Sequence, residues 1–260
     1  MTVRSAALGA ILFLLTGCSI VPSNPFPRDI DATTGSYQPR VRSTGLRAPP
    51  PVLALTLRGT PRLEAPRGWT RPPWVNNAGY FVPVQDQGET PMCTAYAMEY
   101  ILKAAYWRQY GVWPAHNLHT PLYTESKRLE GDNEPGTSFE SMFQACTNIP
   151  LLVGRFNIMV SRVESGDDVA YAIHQTGTVL SALEITDAWW NYRGGIMAIR
   201  NGNGCLHAQV VVGYDDNRRT VYGLNSWGAD WGNQGFWTQS TGEFRLEYKY
   251  GYAVRVRFTE

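Results

Sequence analysis

Charge imbalance is almost absent from this chain. Over 260 residues, 23 Lys and Arg meet 22 Asp and Glu, a formal net charge of +1. Nothing in that balance expects nucleic acid as a partner. There is no apolar run long enough to span a bilayer and no internal repeat. No His, Cys, Asp or Glu spacing of the metal-ligand kind occurs, so neither a metal nor another cofactor is expected. Cysteine is scarce, at four residues. What remains is a globular composition, 43% hydrophobic and 12% aromatic, read as a monomer with room for one domain plus something extra.

The extra part is N-terminal. Arg4 precedes an apolar run from Ala6 to Leu15, which has the length of a signal-peptide core. It ends in Leu15-Thr16-Gly17-Cys18, which resembles the lipobox of bacterial lipoproteins. The resemblance implies cleavage after residue 17 and acylation of Cys18. Two or three acyl chains, at about 0.8 kcal/mol per buried methylene, would anchor the chain stably. The expected location is a bacterial cell envelope, with Ser19 pointing to the outer membrane of a Gram-negative cell.

From Cys18 to about residue 65 the sequence reads as an extended tether, because eight of the 17 prolines fall between Pro22 and Pro61. Leu53, Leu55 and Leu57 alternate with Ala54 and Thr56, a short strand signal within it. A compact domain is expected over 66–260. Helices are expected at about 91–110, 138–145 and 167–174, then strands at about 178–183, 208–214, 219–224 and 251–258. In the last strand Val254, Val256 and Phe258 share one face and Arg255 and Arg257 the other. Helices followed by strands make an α+β arrangement, two lobes with a cleft between them.

Four residues supply the chemistry of a thiol nucleophile. Cys93 stands near the start of the first helix, where free amides and the helix dipole favour an anionic sulfur. Thr90 is a candidate cap and Pro91 suits the first helical position. His207 opens a strand and is a candidate base. Asn225 could orient the imidazole, and Trp227 could shield that hydrogen bond. Gln87 offers an amide for an oxyanion hole with the Cys93 backbone N–H. His116, His119 and His174 lack any such context. Cys146 and Cys205 are left over, and an exported compartment would permit them to pair.

In order and in local sequence these segments resemble the papain (C1) family of cysteine peptidases. Gln87-Gly88 with Cys93, Leu206-His207-Ala208 before Val212-Gly213-Tyr214, and Asn225-Ser226-Trp227-Gly228 with Trp231-Gly232 and Gly235-Phe236 carry the resemblance. It implies a helical lobe, an antiparallel β-barrel-like lobe, and a Cys93–His207–Asn225 triad assisted by Gln87, with protein or peptide as substrate. It also implies a substrate-binding role for Gly136, Thr137, Cys205 and a residue near Tyr248 to Tyr250. Cys93-Thr94-Ala95-Tyr96-Ala97 looks like the bacterial branch. Thr94 departs from the Trp that often follows the nucleophile, and Leu206 from the Asp that often precedes the histidine. No helical inhibitory pro-segment is expected in so proline-rich a tether. The alternatives are a peptidoglycan peptidase of the related NlpC/P60 type and a non-catalytic binding module on the same fold.

Overall fold

The computed structural model describes residues 42–50, 59–81, 83–148, 155–198 and 204–259. Cys18, the signal-like segment and the Leu53–Leu57 alternation lie outside them. In chain order the elements are β1 (Trp74–Asn76), α1 (Cys93–Tyr110), α2 (His119–Glu130), α3 (Phe139–Asn148), β2 (Arg155–Val163), α4 (Val169–Thr176), β3 (Val179–Ile185), α5 (Asp187–Trp190), β4 (Cys205–Asp215), β5 (Thr220–Leu224), β6 (Phe236–Ser240), α6 (Thr241–Glu247) and β7 (Tyr248–Thr259).

The strands form one antiparallel sheet in the order β2-β7-β3-β4-β5-β6, with β1 added against β4. The sheet does not close, so the barrel-like lobe expected from the resemblance is an open sheet among the described residues. It is buried on both faces, and strand alternation shows how. Leu180 and Ala182 of β3, with Ala208, Val210 and Val212 of β4, belong to a core shared with α1, α2 and α3. Val179, Leu183 and Val211 belong to a second core built around Trp189, Trp227, Trp231 and Trp237. On β7 the expected alternation holds, with Val254 and Phe258 buried and Arg255 and Arg257 exposed.

Helix α1 is the axle of the helical lobe. Its first ten residues, Cys93 to Leu102, are all buried, as expected of a helix enclosed by other elements rather than laid on a surface. It ends on Gly111 in the left-handed conformation, whose amide closes onto the Trp107 carbonyl. Helix α2 was not legible from apolar spacing, since Leu122 and Ser126 are its fully buried side chains. Its start is instead fixed by a buried carboxylate: Glu99 Oε2 accepts from the amides of Leu118 and His119.

Two pieces of the stretch read as tether pack on the domain. Residues 61–63 pair with Arg162 of β2. Residues 42–47 run across the junction of the two lobes.

Candidate active site

Short backbone pairing assembles the site from three distant segments. Gln87 N donates to the Ser226 carbonyl (2.8 Å) and Gly228 N to the Gln85 carbonyl (3.0 Å), so the loop before α1 lies along the segment carrying Asn225 and Trp227. The Ser226 hydroxyl donates to Gln87 Oε1. That contact fixes the amide and turns its Nε2 towards the cleft. Cys93 is the first residue of α1, and Met92 occupies the cap position with no side-chain cap. Thr90 does not cap the helix as expected; its hydroxyl donates to the Gln87 carbonyl and tightens the preceding turn.

On the opposite wall His207 and Asn225 meet, with Nε2 to Oδ1 at 2.8 Å. The ring stacks on Trp227 at 4.9 Å between centroids, so the indole covers the imidazole and its bond to Asn225. His207 Nδ1 is buried with no hydrogen-bond partner. It is the ring nitrogen left available once Asn225 has taken the other. The amide of Ala208, the next residue, reaches the Cys93 sulfur. Cys93, His207 and Asn225 are each fully buried, and Ala208 ties the strand carrying His207 to the Cys93 sulfur.

What buries them is the chain's own residues 42–47. The Gly45 amide donates to Cys93 Sγ at 3.2 Å. The Ser43 carbonyl accepts from Gln87 Nε2 (3.0 Å) and from Trp227 Nε1 (3.3 Å). Thr44 Oγ1 donates to the sulfur of Cys205 at 3.1 Å. Thr137 N donates to the Gly45 carbonyl (2.8 Å), and Arg47 N donates to the Thr137 carbonyl (3.1 Å). This pairing of Leu46 with Thr137 is parallel. Gly136, Thr137 and Cys205, the residues singled out for substrate binding, therefore all touch this strap.

The crossing demands glycine on both sides. A Cβ on Gly45 would stand 2.1 Å from the Pro91 carbonyl oxygen, and one on Gly136 would stand 2.1 Å from the Gly45 oxygen. Gly136 also has φ +85°, a left-handed conformation that side chains resist. Beyond the crossing, the Arg47 guanidinium grips both oxygens of Asp132 at 2.9 and 3.0 Å.

Occlusion sets the electrostatics. Burial raises the Cys93 pKa, opposed by the amides of Ala208 and Gly45 and by Thr94. Burial likewise lowers the His207 pKa to about 4, against the hydrogen bond to Asn225 Oδ1 that raises it. Desolvation opposes both charges of a thiolate–imidazolium pair, so burial favours a neutral Cys93 thiol and a neutral His207 imidazole in the strapped site.

Several features lay beyond sequence reasoning. The strap falls in nine residues without proline, 40–48, between Pro39 and Pro49; that gap, with a glycine inside it, was the available signal. His119, passed over as contextless, holds Glu99 through Nδ1 at 2.6 Å and stacks on Tyr96. Cys146 and Cys205 do not pair: both are free, one buried in the helical lobe and the other exposed at the cleft. Among the described residues no cluster of metal-ligating side chains occurs, and no helix is long and apolar enough to cross a membrane.

Residues 142–252 match the family model described as papain family cysteine protease. That span contains His207 and Asn225 and stops short of Gln87 and Cys93 on the N-terminal side. The chain is 28% identical over 128 residues to cysteine proteinase B of Leishmania mexicana, a match covering 48% of this chain and 27% of that protein. The curated relatives considered are spanned for between 19% and 41% of their length. Among solved structures, xylellain, a cysteine protease from Xylella fastidiosa, superposes with a TM-score of 0.59 at 15% identity, over 84% of this chain and 94% of that one. The digestive procathepsin L 3 of Tenebrio molitor larval midgut gives 0.60 at 22% identity, over 78% of each chain. The α+β architecture is therefore the papain-like fold, and residues 142–252 are similar to the papain family of cysteine proteases.

Proposed function

We propose that the protein is a thiol-dependent endopeptidase in which Cys93 is the nucleophile, His207 the base and Asn225 its orienter. The observation that carries this is the His207 ring: Nε2 held by Asn225, Nδ1 free of partners, and the adjoining Ala208 amide at the Cys93 sulfur. The Cys93 proton passes to Nδ1, and the thiolate attacks the scissile carbonyl carbon. The resulting oxyanion is held by Gln87 Nε2 and the Cys93 backbone N–H. The imidazolium then gives its proton to the leaving amine, and water hydrolyses the thioester. That Gln87 Nε2 already grips a carbonyl oxygen, that of Ser43, supports its role as donor.

The strap is read as an intramolecular block. The sulfur meets the N–H of Gly45 rather than an electrophilic carbon, so the segment fills the cleft without offering a bond to cut. Catalysis then requires the strap to leave. A bacterial envelope location, with a lipid on Cys18 and the bacterial branch of the family, completes the reading; it rests on the sequence around Cys18 and Cys93 alone.

The test is hydrolysis of casein by the full chain carrying Gly45→Val, which displaces the strap, with and without Cys93→Ala. Thiol-dependent cleavage lost in the variant supports the reading. Cleavage of muropeptides in place of casein would favour an NlpC/P60-type activity. An epoxide probe that leaves Cys93 itself unlabelled by peptide mass mapping in Gly45→Val, where the strap is displaced, would remove the nucleophile from the scheme.

A further inference from the structure

We propose that the seat now filled by the Arg47 guanidinium is the subsite for the third residue on the acyl side of the scissile bond, and that Asp132 makes it select a basic side chain. This rests on the peptidase reading above. The register supplies the position. Leu46 stands opposite Thr137 with Gly45 against the sulfur and Arg47 one residue further from it. In an extended chain successive side chains alternate sides whichever way the chain runs. Reversing the direction changes which backbone groups donate and accept, but not which side each position faces. A substrate that pairs with Thr137 and sets its scissile carbonyl at Cys93 and Gln87 therefore has its second residue where Leu46 lies. Its third residue points at Asp132.

The chemistry of the seat matches a forked cation. Both oxygens of Asp132 bind the two terminal nitrogens of Arg47, and the Glu134 carbonyl takes a further contact at 3.3 Å. Glu130 Oε2 stands 3.5 Å from the same guanidinium. Its other oxygen is fixed by the Ser138 amide and the Ser138 and Ser141 hydroxyls, which ties the seat to the start of α3 beside Thr137. Lys127 contacts Asp132 Oδ1 and Glu130 Oε2. With the strap withdrawn, two carboxylates face one lysine, and Asp132 Oδ2 loses the guanidinium nitrogen that binds it. The Asp132 side chain is 31% exposed, so an incoming side chain can reach it from solvent. Arginine fits this fork bidentately, whereas lysine brings only a point charge.

The experiment uses the full chain carrying Gly45→Val and Arg47→Ala, which expels the strap and empties the seat. Two fluorogenic peptides are compared, identical except for arginine or citrulline at the third position before the cut. The arginine peptide should have a kcat/KM about tenfold higher, the scale of a well-formed but partly exposed charge-assisted pair. Adding Asp132→Asn should bring the two within about twofold of each other. Equal rates with Asp132 present, or an arginine advantage that survives Asp132→Asn, overturn the proposal. Failure of the peptidase reading is seen separately, as cleavage of neither peptide. The seat is then read by protection of Cys93 from iodoacetamide: tenfold better protection by the arginine peptide, lost in Asp132→Asn, supports it, and equal protection overturns it. If the double variant loses its fold by circular dichroism, Arg47→Ala alone, assayed at pH 5, carries the same comparison.

Discussion

Mild acid should open the strap, and the two buried titratable groups give the size of the effect. In the strapped form burial holds the His207 pKa at about 4, against an ordinary value of 6.5. A depressed histidine stabilises the closed form fully above pH 6.5, where the ring is neutral in both forms. That stability is lost as the pH falls through 6.5 towards 4, because the opened imidazole takes up a proton that the closed one refuses. Between pH 7.5 and 5 the opening equilibrium should shift by about 2 kcal/mol, or about 30-fold. Cys93 acts at the other end. Its raised pKa favours opening only above the ordinary thiol range, so the strap should hold most firmly between about pH 6.5 and 8.5. The assay is the rate of Cys93 alkylation by iodoacetamide, followed by peptide mass mapping and divided by the rate for Gly45→Val at each pH. The division cancels the thiolate fraction and leaves the fraction open. A ratio that stays flat or falls between pH 7.5 and 5 would refute the reasoning.

Gly45→Val should itself speed Cys93 alkylation at pH 7.5 by roughly 5- to 150-fold, since overpacking of this kind costs about 1–3 kcal/mol and its Cβ meets the Pro91 backbone; an unchanged rate would mean the strap accommodates the side chain. In the wild type, exposed Cys205 should alkylate before Cys93 and buried Cys146 not at all; loss of Cys205 labelling that reductant restores would reveal a disulfide. Asn225→Ala should lower kcat more than KM in the opened enzyme, because the imidazole loses its bond from Nε2; unchanged kcat would remove its orienting role. Burial opposes the charge on Glu99, but His119, Lys103 and Gln85 hold its pKa down to about 2. Its stabilisation is therefore present above pH 4.5 and lost as the pH falls towards 2. Thermal melts should show Glu99→Ala destabilised by about 3–5 kcal/mol at neutral pH, the cost of stranding a buried pair. They should also show a flatter acid limb than the wild type.

The parts of the site visible in the sequence were those fixed by local pattern. Cys93 at a helix start and His207 in an apolar run could be read from neighbours, and so could Asn225 before Ser226-Trp227-Gly228. The alternation of β7 was legible because period-two burial leaves a mark in composition. Helix α2 was not, because Glu99 holds its start and one face is mostly polar. Strand β2 escaped for a related reason: Asn157, Met159 and Ser161 alternate with Phe156, Ile158 and Val160, and exposed Met159 blurs the pattern. A strap forty-odd residues upstream of the thiol leaves no periodic trace at all. Its fit depends on a glycine at 45 against the Pro91 carbonyl and a glycine at 136 against the Gly45 carbonyl, a match that no window along the chain contains.

That crossing also explains why the same few residues block the site chemically as well as sterically. With a side chain at either glycine, the two backbones could not approach closely enough for the Gly45 amide to reach the sulfur. The close approach expels water from Cys93 and His207, and desolvation then keeps both uncharged. A looser cover would leave water in the cleft, and with it the thiolate–imidazolium pair that makes cysteine reactive. The parallel direction of the strap completes the block. It spends the Gly45 N–H on the Cys93 sulfur and the Ser43 carbonyl on Gln87 and Trp227. Gln87, the proposed oxyanion donor, is thus engaged by a carbonyl two residues away from the atom the sulfur faces. Attack requires the carbonyl carbon at the sulfur while its oxygen sits on the donor. A strap that divides those two contacts between different residues can occupy the cleft without being consumed by it.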